Sequence, residues 1–206
     1  MAMLRSSAPL QKLLALLAGY SGGKTVNNFY SSPHLLKNLE EYFNALTSGG
    51  YSGDLLVGEA PGHAGCARTG IPFTSENVLN VSTHPFVASL RNRVQVGGDQ
   101  SETTSNVVWN CLISSRSCRL PAFWNAFPMH PHLVNSRRNR TPTLAEVSFG
   151  VDALAKVVQI LKPRRVFAIG RAAEGTLKKH FSTFSAPYIR HPSYGGRNAF
   201  LKGVTS

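Results

Sequence analysis

The 206-residue chain is short of acid, with 10 Asp plus Glu against 22 Lys plus Arg and a formal net charge of +12. It is also short of cysteine. Cys66, Cys111 and Cys118 are an odd number with no C-x-x-C pair. They make neither a disulfide framework nor, from cysteine alone, a zinc ribbon or iron–sulfur cluster, so free thiols in a reducing compartment are expected. No apolar run approaches the ~20 residues that cross a bilayer. Charged residues make up only 16% and apolar ones 42%, which excludes a disordered polyelectrolyte or a histone-like tail. No repeat or low-complexity tract stands out. What remains is a folded chain long enough for one sizeable core, carrying an excess of positive charge that suits a polyanionic partner.

That excess is unevenly placed. Residues 1–100 hold 7 basic and 6 acidic side chains, whereas residues 101–206 hold 15 and 4, a net of +11. Its densest stretch runs from Arg137, Arg138 and Arg140 through Lys162, Arg164 and Arg165 to Lys178 and Lys179. A solvated basic face would explain any one run. Eleven net charges on half a chain point instead to phosphates bound by counterion release.

Hydrophobic spacing then gives the elements. Leu13 to Ala18 lie in an acid-free stretch, residues 1–39, that reads as a helix against the domain or as a targeting segment, the helix being favoured. Leu35, Leu36, Leu39, Tyr42, Phe43 and Leu46 repeat at helical spacing between Ser32-Pro33 and Gly49-Gly50. Asp54–Gly58 is a buried strand emptying into a glycine turn, and Ala122–Phe127 is a second strand. Thr143 with Glu146 opens a helix ending near Leu161. Arg165–Gly170 is a third strand, followed by a helix over 171–181 and a fourth strand over 186–190. Residues 62–120 are hard to read, with helix expected around 75–79 and 84–94, and residues 130–142 read as an Arg-rich loop. Strands alternating with helices predict a three-layer α/β/α fold around a mostly parallel, four-stranded sheet.

Short motifs must be weighed against chance. Gly19 to Thr25 ends like a phosphate-binding loop, but Ala18 stands where its first glycine belongs and no strand precedes it, so a plain loop is expected. His63 with Cys66, and His130 with His132, do not complete a tetrahedral metal set, and no metal or other cofactor is expected. Gly58-Glu59-Ala60-Pro61-Gly62 has a better context, because it places a carboxylate at the C-terminal mouth of a parallel strand. Phe73 follows within Gly70-Ile-Pro-Phe-Thr. Asn125 ends the second strand with the donor and acceptor that a base edge requires. His191-Pro-Ser-Tyr-Gly-Gly196 closes the last strand, with a histidine suited to polarising a substrate oxygen and glycines that let backbone approach a phosphate.

Taken in order, GEAPG, G-x-P-F-T, a strand-borne Asn, Asn139-Arg140-x-Pro142 and HPS-x-G-G resemble the uracil-DNA glycosylase superfamily, nearest its GEAPG-type bacterial members. The resemblance runs from about Asp54 to Phe200. It implies a DNA glycosylase that flips out uracil, or a related deaminated base, and hydrolyses its N-glycosidic bond to start base-excision repair. It implies Glu59 and His191 as catalytic residues, the first acting on the attacking water and the second on negative charge at uracil O2. Gly58, Ala60, Pro61, Gly62, Phe73 and Asn125 would hold the base, Phe73 by stacking and Asn125 by reading its edge. Arg138, Arg140, Ser193, Gly195, Gly196 and Arg197 would hold DNA.

Two departures stand out. The four cluster cysteines common in GEAPG-type relatives are missing, so no iron–sulfur cluster is expected. Tyr194-Gly195-Gly196-Arg197 replaces the usual apolar wedge, which leaves duplex insertion open. The expected organisation is an N-terminal helical segment over 1–50 packed on an α/β domain over 51–206, acting as a monomer on DNA in the cytoplasm, with organellar targeting left open. The end soon after Phe200 leaves a C-terminal helix short or missing. Two readings compete with the glycosylase: a DNA-binding protein that kept the fold without catalysis, and an α/β enzyme acting on small phosphorylated substrates.

Overall fold

The computed structural model describes residues 7–114, 120–193 and 195–205; Cys118 and Tyr194 lie outside them. In chain order the elements are α1 (Ala8–Ala18), β1 (Val26–Asn27), α2 (Pro33–Ala45), β2 (Tyr51–Gly58), α3 (Cys66–Thr69), α4 (Glu76–Val81), α5 (Pro85–Arg91), α6 (Thr103–Ser114), β3 (Leu120–Asn125), β4 (His130–Pro131), α7 (Leu144–Leu161), β5 (Arg165–Ile169), α8 (Arg171–His180), β6 (Tyr188–Ile189) and α9 (Arg197–Thr205).

Four strands form one parallel sheet in the order β3-β2-β5-β6. Leu55, Leu56 and Val57 are consecutive on β2 and all buried, although successive strand residues point to opposite faces. Both faces of the sheet are therefore covered, as a parallel sheet requires, and the fold is three-layered α/β/α. The register places Leu56 beside Phe123 and Phe167, and Gly58 beside Asn125. The C-terminal ends of β2 and β3 thus emerge side by side.

Packing ties the first helices into this frame. Leu10, Leu13, Leu14 and Leu17 of α1 join the same core as the sheet, and α1 lies against α7 and α2. The Tyr42 hydroxyl of α2 accepts the Phe123 backbone N–H at 2.8 Å, and burial pushes this phenol well above its ordinary range. On α7 the capping box is complete: Thr143 Oγ1 accepts the Glu146 N–H and the Glu146 carboxylate accepts the Thr143 N–H.

Several boundaries differ from the sequence reading. β2 begins at Tyr51 and β3 covers 120–125, while Ala126 and Phe127 leave the strand but still donate to the carbonyls of Gly58 and Glu59 at 2.7 and 2.9 Å. β6 shrinks to two residues, since Ala186 has φ 38° and Pro187 offers no N–H to the ladder. The difficult stretch 62–120 contains α6, whose Thr, Asn, Val and Cys content hides a helix from propensity reasoning. The Arg-rich loop is partly ordered as strand: β4 pairs antiparallel with β1, and His132 bridges Asn139. Residues 197–205 do form a helix, so the C-terminal helix is present.

Candidate active site

A cleft of about 690 Å³ opens at the C-terminal edge of the sheet, where open α/β sheets bind ligands. Glu59, Phe73, Asn125 and His191 all line it, together with Ala60, Pro61 and Gly62. Four side chains from four separated segments therefore converge on one space.

Gly58 lies beneath this space. A Cβ there would stand 2.6 Å from the Phe73 ring and 3.0 Å from Asn125 Oδ1, so only glycine lets the two meet. Asn125 is 4% exposed, and its amide makes no hydrogen bond among the described residues. A buried amide aimed into a cleft without a partner is available to a ligand. Phe73 holds a left-handed backbone conformation, φ 55°, that a bulky residue adopts only when its surroundings impose it. Here they do: Thr69 Oγ1 donates to the Thr74 carbonyl at 2.8 Å, Thr74 Oγ1 donates to the Pro72 carbonyl, and Trp109 Nε1 donates to Thr74 Oγ1 at 3.2 Å.

The motif after β2 is clamped from the far side. The Pro61 carbonyl accepts hydrogen bonds from Asn139 Nδ2 and His130 Nδ1, both at 3.0 Å. His130 is buried, and burial holds its pKa below the ordinary range, with His132 and His63 pushing the same way. It therefore acts as a neutral donor to Pro61. Burial raises the Glu59 carboxyl above its usual value, and no hydrogen bond offsets this among the described residues. A carboxylate so placed is a stronger base than one in water.

His191 shows the opposite sign for the same cause. Burial lowers its pKa, Glu102 raises it and Arg190 lowers it. Its Nδ1 accepts the Ser193 backbone N–H at 3.2 Å, so a neutral ring carries its proton on Nε2. The histidine is thereby set as a hydrogen-bond donor that needs no positive charge.

The DNA-binding candidates divide. Arg138 and Ser193 line the cleft, and so does Arg137. Arg138 and Arg137 are exposed and pair with no carboxylate among the described residues. Arg140 is occupied elsewhere: its guanidinium forks onto Glu146 at 2.6 and 2.8 Å and reaches Thr25 Oγ1 at 3.1 Å. It ties α7 to the loop before β1. Gly195 and Arg197 lie beyond the cleft lining, and Gly196 is buried against the His191 carbonyl.

Sequence reasoning missed Glu102 and Thr104, which also line the cleft. Glu102 caps α6 by accepting the N–H groups of Thr104 and Ser105 at 3.0 and 2.7 Å. Thr104 Oγ1 shares a 3.2 Å hydrogen bond with Ser193 Oγ, and Ser105 Oγ accepts the Ser75 N–H at 2.8 Å. With Trp109, α6 braces both the Phe73 loop and the His191 loop. The buried spacing of Val108, Cys111 and Leu112 was the available signal.

Known proteins agree with this frame. The fold is similar to that in the crystal structure of wild-type Pedobacter heparinus SMUG2, with a TM-score of 0.71 at 16% identity, covering 96% of this chain and 95% of that one. No curated protein matches the chain in sequence. The family model for the uracil DNA glycosylase superfamily, however, matches residues 53–205, the stretch that supplies every lining residue of the cleft, and the chain belongs to that superfamily.

Proposed function

We propose that the protein is a monofunctional DNA glycosylase that excises uracil, or a closely related deaminated base, from DNA. The observation carrying this reading is the convergence of Glu59, Phe73, Asn125 and His191 on one cleft beside unpaired arginines. Cleaving an N-glycosidic bond leaves a cationic sugar and an anionic base, so the site must stabilise both charges.

In this reading the target nucleotide swings out of the helix and its base enters above Gly58, stacking on Phe73. Asn125 hydrogen-bonds the base edge with its donor and its acceptor. As the C1′–N1 bond breaks, its electron pair moves onto the base, and His191 Nε2–H donates to the oxygen where the charge grows. Glu59 faces the sugar, stabilises its positive charge and takes a proton from the water that adds to C1′. The products are a free base and an abasic site. Arg137 and Arg138 hold phosphates beside the cleft.

Single-turnover cleavage of oligonucleotides with one uracil tests this. Wild type is expected to release uracil, and Glu59→Gln and His191→Ala to be slower by about 10²–10³-fold with DNA affinity retained. A wild type that leaves every deaminated base intact, in single and double strands alike, overturns the reading.

A further inference from the structure

Base extrusion from a duplex leaves a gap that something must fill. At the His191 loop Gly195 and Gly196 have no side chain and Arg197 starts α9, while Tyr194 lies outside the described residues. Another part of the cleft's rim carries aliphatic side chains. Between β4 and the pocket-lining Arg137, Arg138 and Asn139, the chain folds into a tight hairpin with Leu133 and Val134 at its tip. Leu133 is 46% exposed and Val134 72%, two adjacent aliphatic side chains standing largely in water.

The tip is built rather than loose. His132 bridges Asn139, the Leu133 N–H donates to the Arg138 carbonyl at 3.0 Å, and the Ser136 N–H returns to the Leu133 carbonyl at 3.2 Å. Ser136 Oγ accepts the Arg138 N–H at 3.1 Å, and Asn135 takes the left-handed conformation that closes the turn, φ 52°. Its base is anchored on both sides, by Asn139 on the Pro61 carbonyl and by Arg140 on Glu146. The result is an apolar point next to two guanidiniums that pair with no carboxylate among the described residues, at the mouth of a cleft with ample room for a base.

We propose that the Leu133-Val134 tip is the wedge that enters duplex DNA beside the extruded nucleotide, with Arg137 and Arg138 holding the flanking phosphates. This rests on the glycosylase reading above. An apolar wedge between base steps gains stacking contacts, while arginines at its base neutralise the backbone drawn toward it. A protein partner would satisfy the aliphatics but leaves the adjacent pair of cations unexplained.

The test compares wild type, Leu133→Ser/Val134→Ser and the conservative Val134→Leu. Because both positions are exposed, the double variant is expected to keep its melting temperature. On uracil-containing duplexes its kcat/KM is expected to fall at least about tenfold. On the same sequence as a single strand, which has no stack to open, it is expected to stay within about twofold, and Val134→Leu is expected to match wild type on both. Equal losses on both substrates, or none, overturn the wedge. A second arm needs no catalysis: a duplex with 2-aminopurine beside a stable abasic analogue. Binding of wild type is expected to change the fluorescence, and binding of the double variant is not. If wild type cleaves nothing, the glycosylase reading fails while this arm still decides the wedge, an equal fluorescence change with both proteins overturning it.

Discussion

At Glu59 and His191, burial produces opposite shifts that suit the two roles proposed for them. The carboxyl is raised and the imidazole lowered, so the base takes up its proton at a higher pH, and the donor stays neutral to a lower pH, than the same side chains free in water. We expect kcat to climb with pH along an acidic limb centred above the ordinary carboxyl value, and Glu59→Gln to remove that limb along with most of the rate. The linked effect on stability has a definite sign. Glu59 holds its proton more tightly when folded, so its ionisation disfavours the folded state as pH rises through the raised value, and Glu59→Gln is expected to melt higher than wild type at pH 7. Gly58→Ala tests the pocket floor. Its methyl group would meet Phe73 and Asn125, and we expect cleavage to fall by about 10²-fold or more while binding to undamaged DNA persists, compared by gel shift and single-turnover rate.

Among the elements, α6 bears most directly on the chemistry. Thr104→Val keeps shape and volume but removes the hydrogen bond to Ser193. KM for DNA is expected to rise several-fold with a smaller change in kcat, and Thr104→Ser to restore both; matched losses in KM and kcat would mean the helix merely holds the fold. Arg140 gives the contrasting case. Arg140→Ala leaves Glu146 largely buried without its partner, and chemical denaturation is expected to show a loss of about 2–4 kcal/mol. Arg140's hydrogen bonds hold the Glu146 carboxyl below its ordinary range. The pair's contribution is therefore present above the ordinary carboxyl pKa and fades as pH falls through the lowered value. These two elements also mark what was legible. GEAPG, Phe73, Asn125 and HPS announce themselves because turn and strand-end positions demand particular residues. Thr104 does not, because a hydroxyl near a helix start has many uses, and only the folded chain brings it to a serine 89 positions away. Arg140 shows a related limit: an arginine in a basic run looks free until its carboxylate partner is seen.

For the whole molecule, the charge asymmetry predicts how DNA binding responds to salt. Affinity is expected to fall steeply and log-linearly with salt, and Arg137→Gln and Arg138→Gln each to reduce the slope by about one, measured by anisotropy on a fluorescent oligonucleotide. No helix among the described residues is long and apolar enough to cross a membrane. The pairing of Gly58 with Asn125 has a further consequence at this scale. Asn125 ends β3 and Glu59 directly follows β2, neighbouring strands whose register is set by ladder hydrogen bonds and extended by the Ala126 and Phe127 N–H groups. Their spacing belongs to the sheet and not to the loops. On the proposed reading, the hairpin at Leu133 and the brace from α6 can therefore diverge and retune which substrates are admitted while Glu59 and Asn125 keep their spacing.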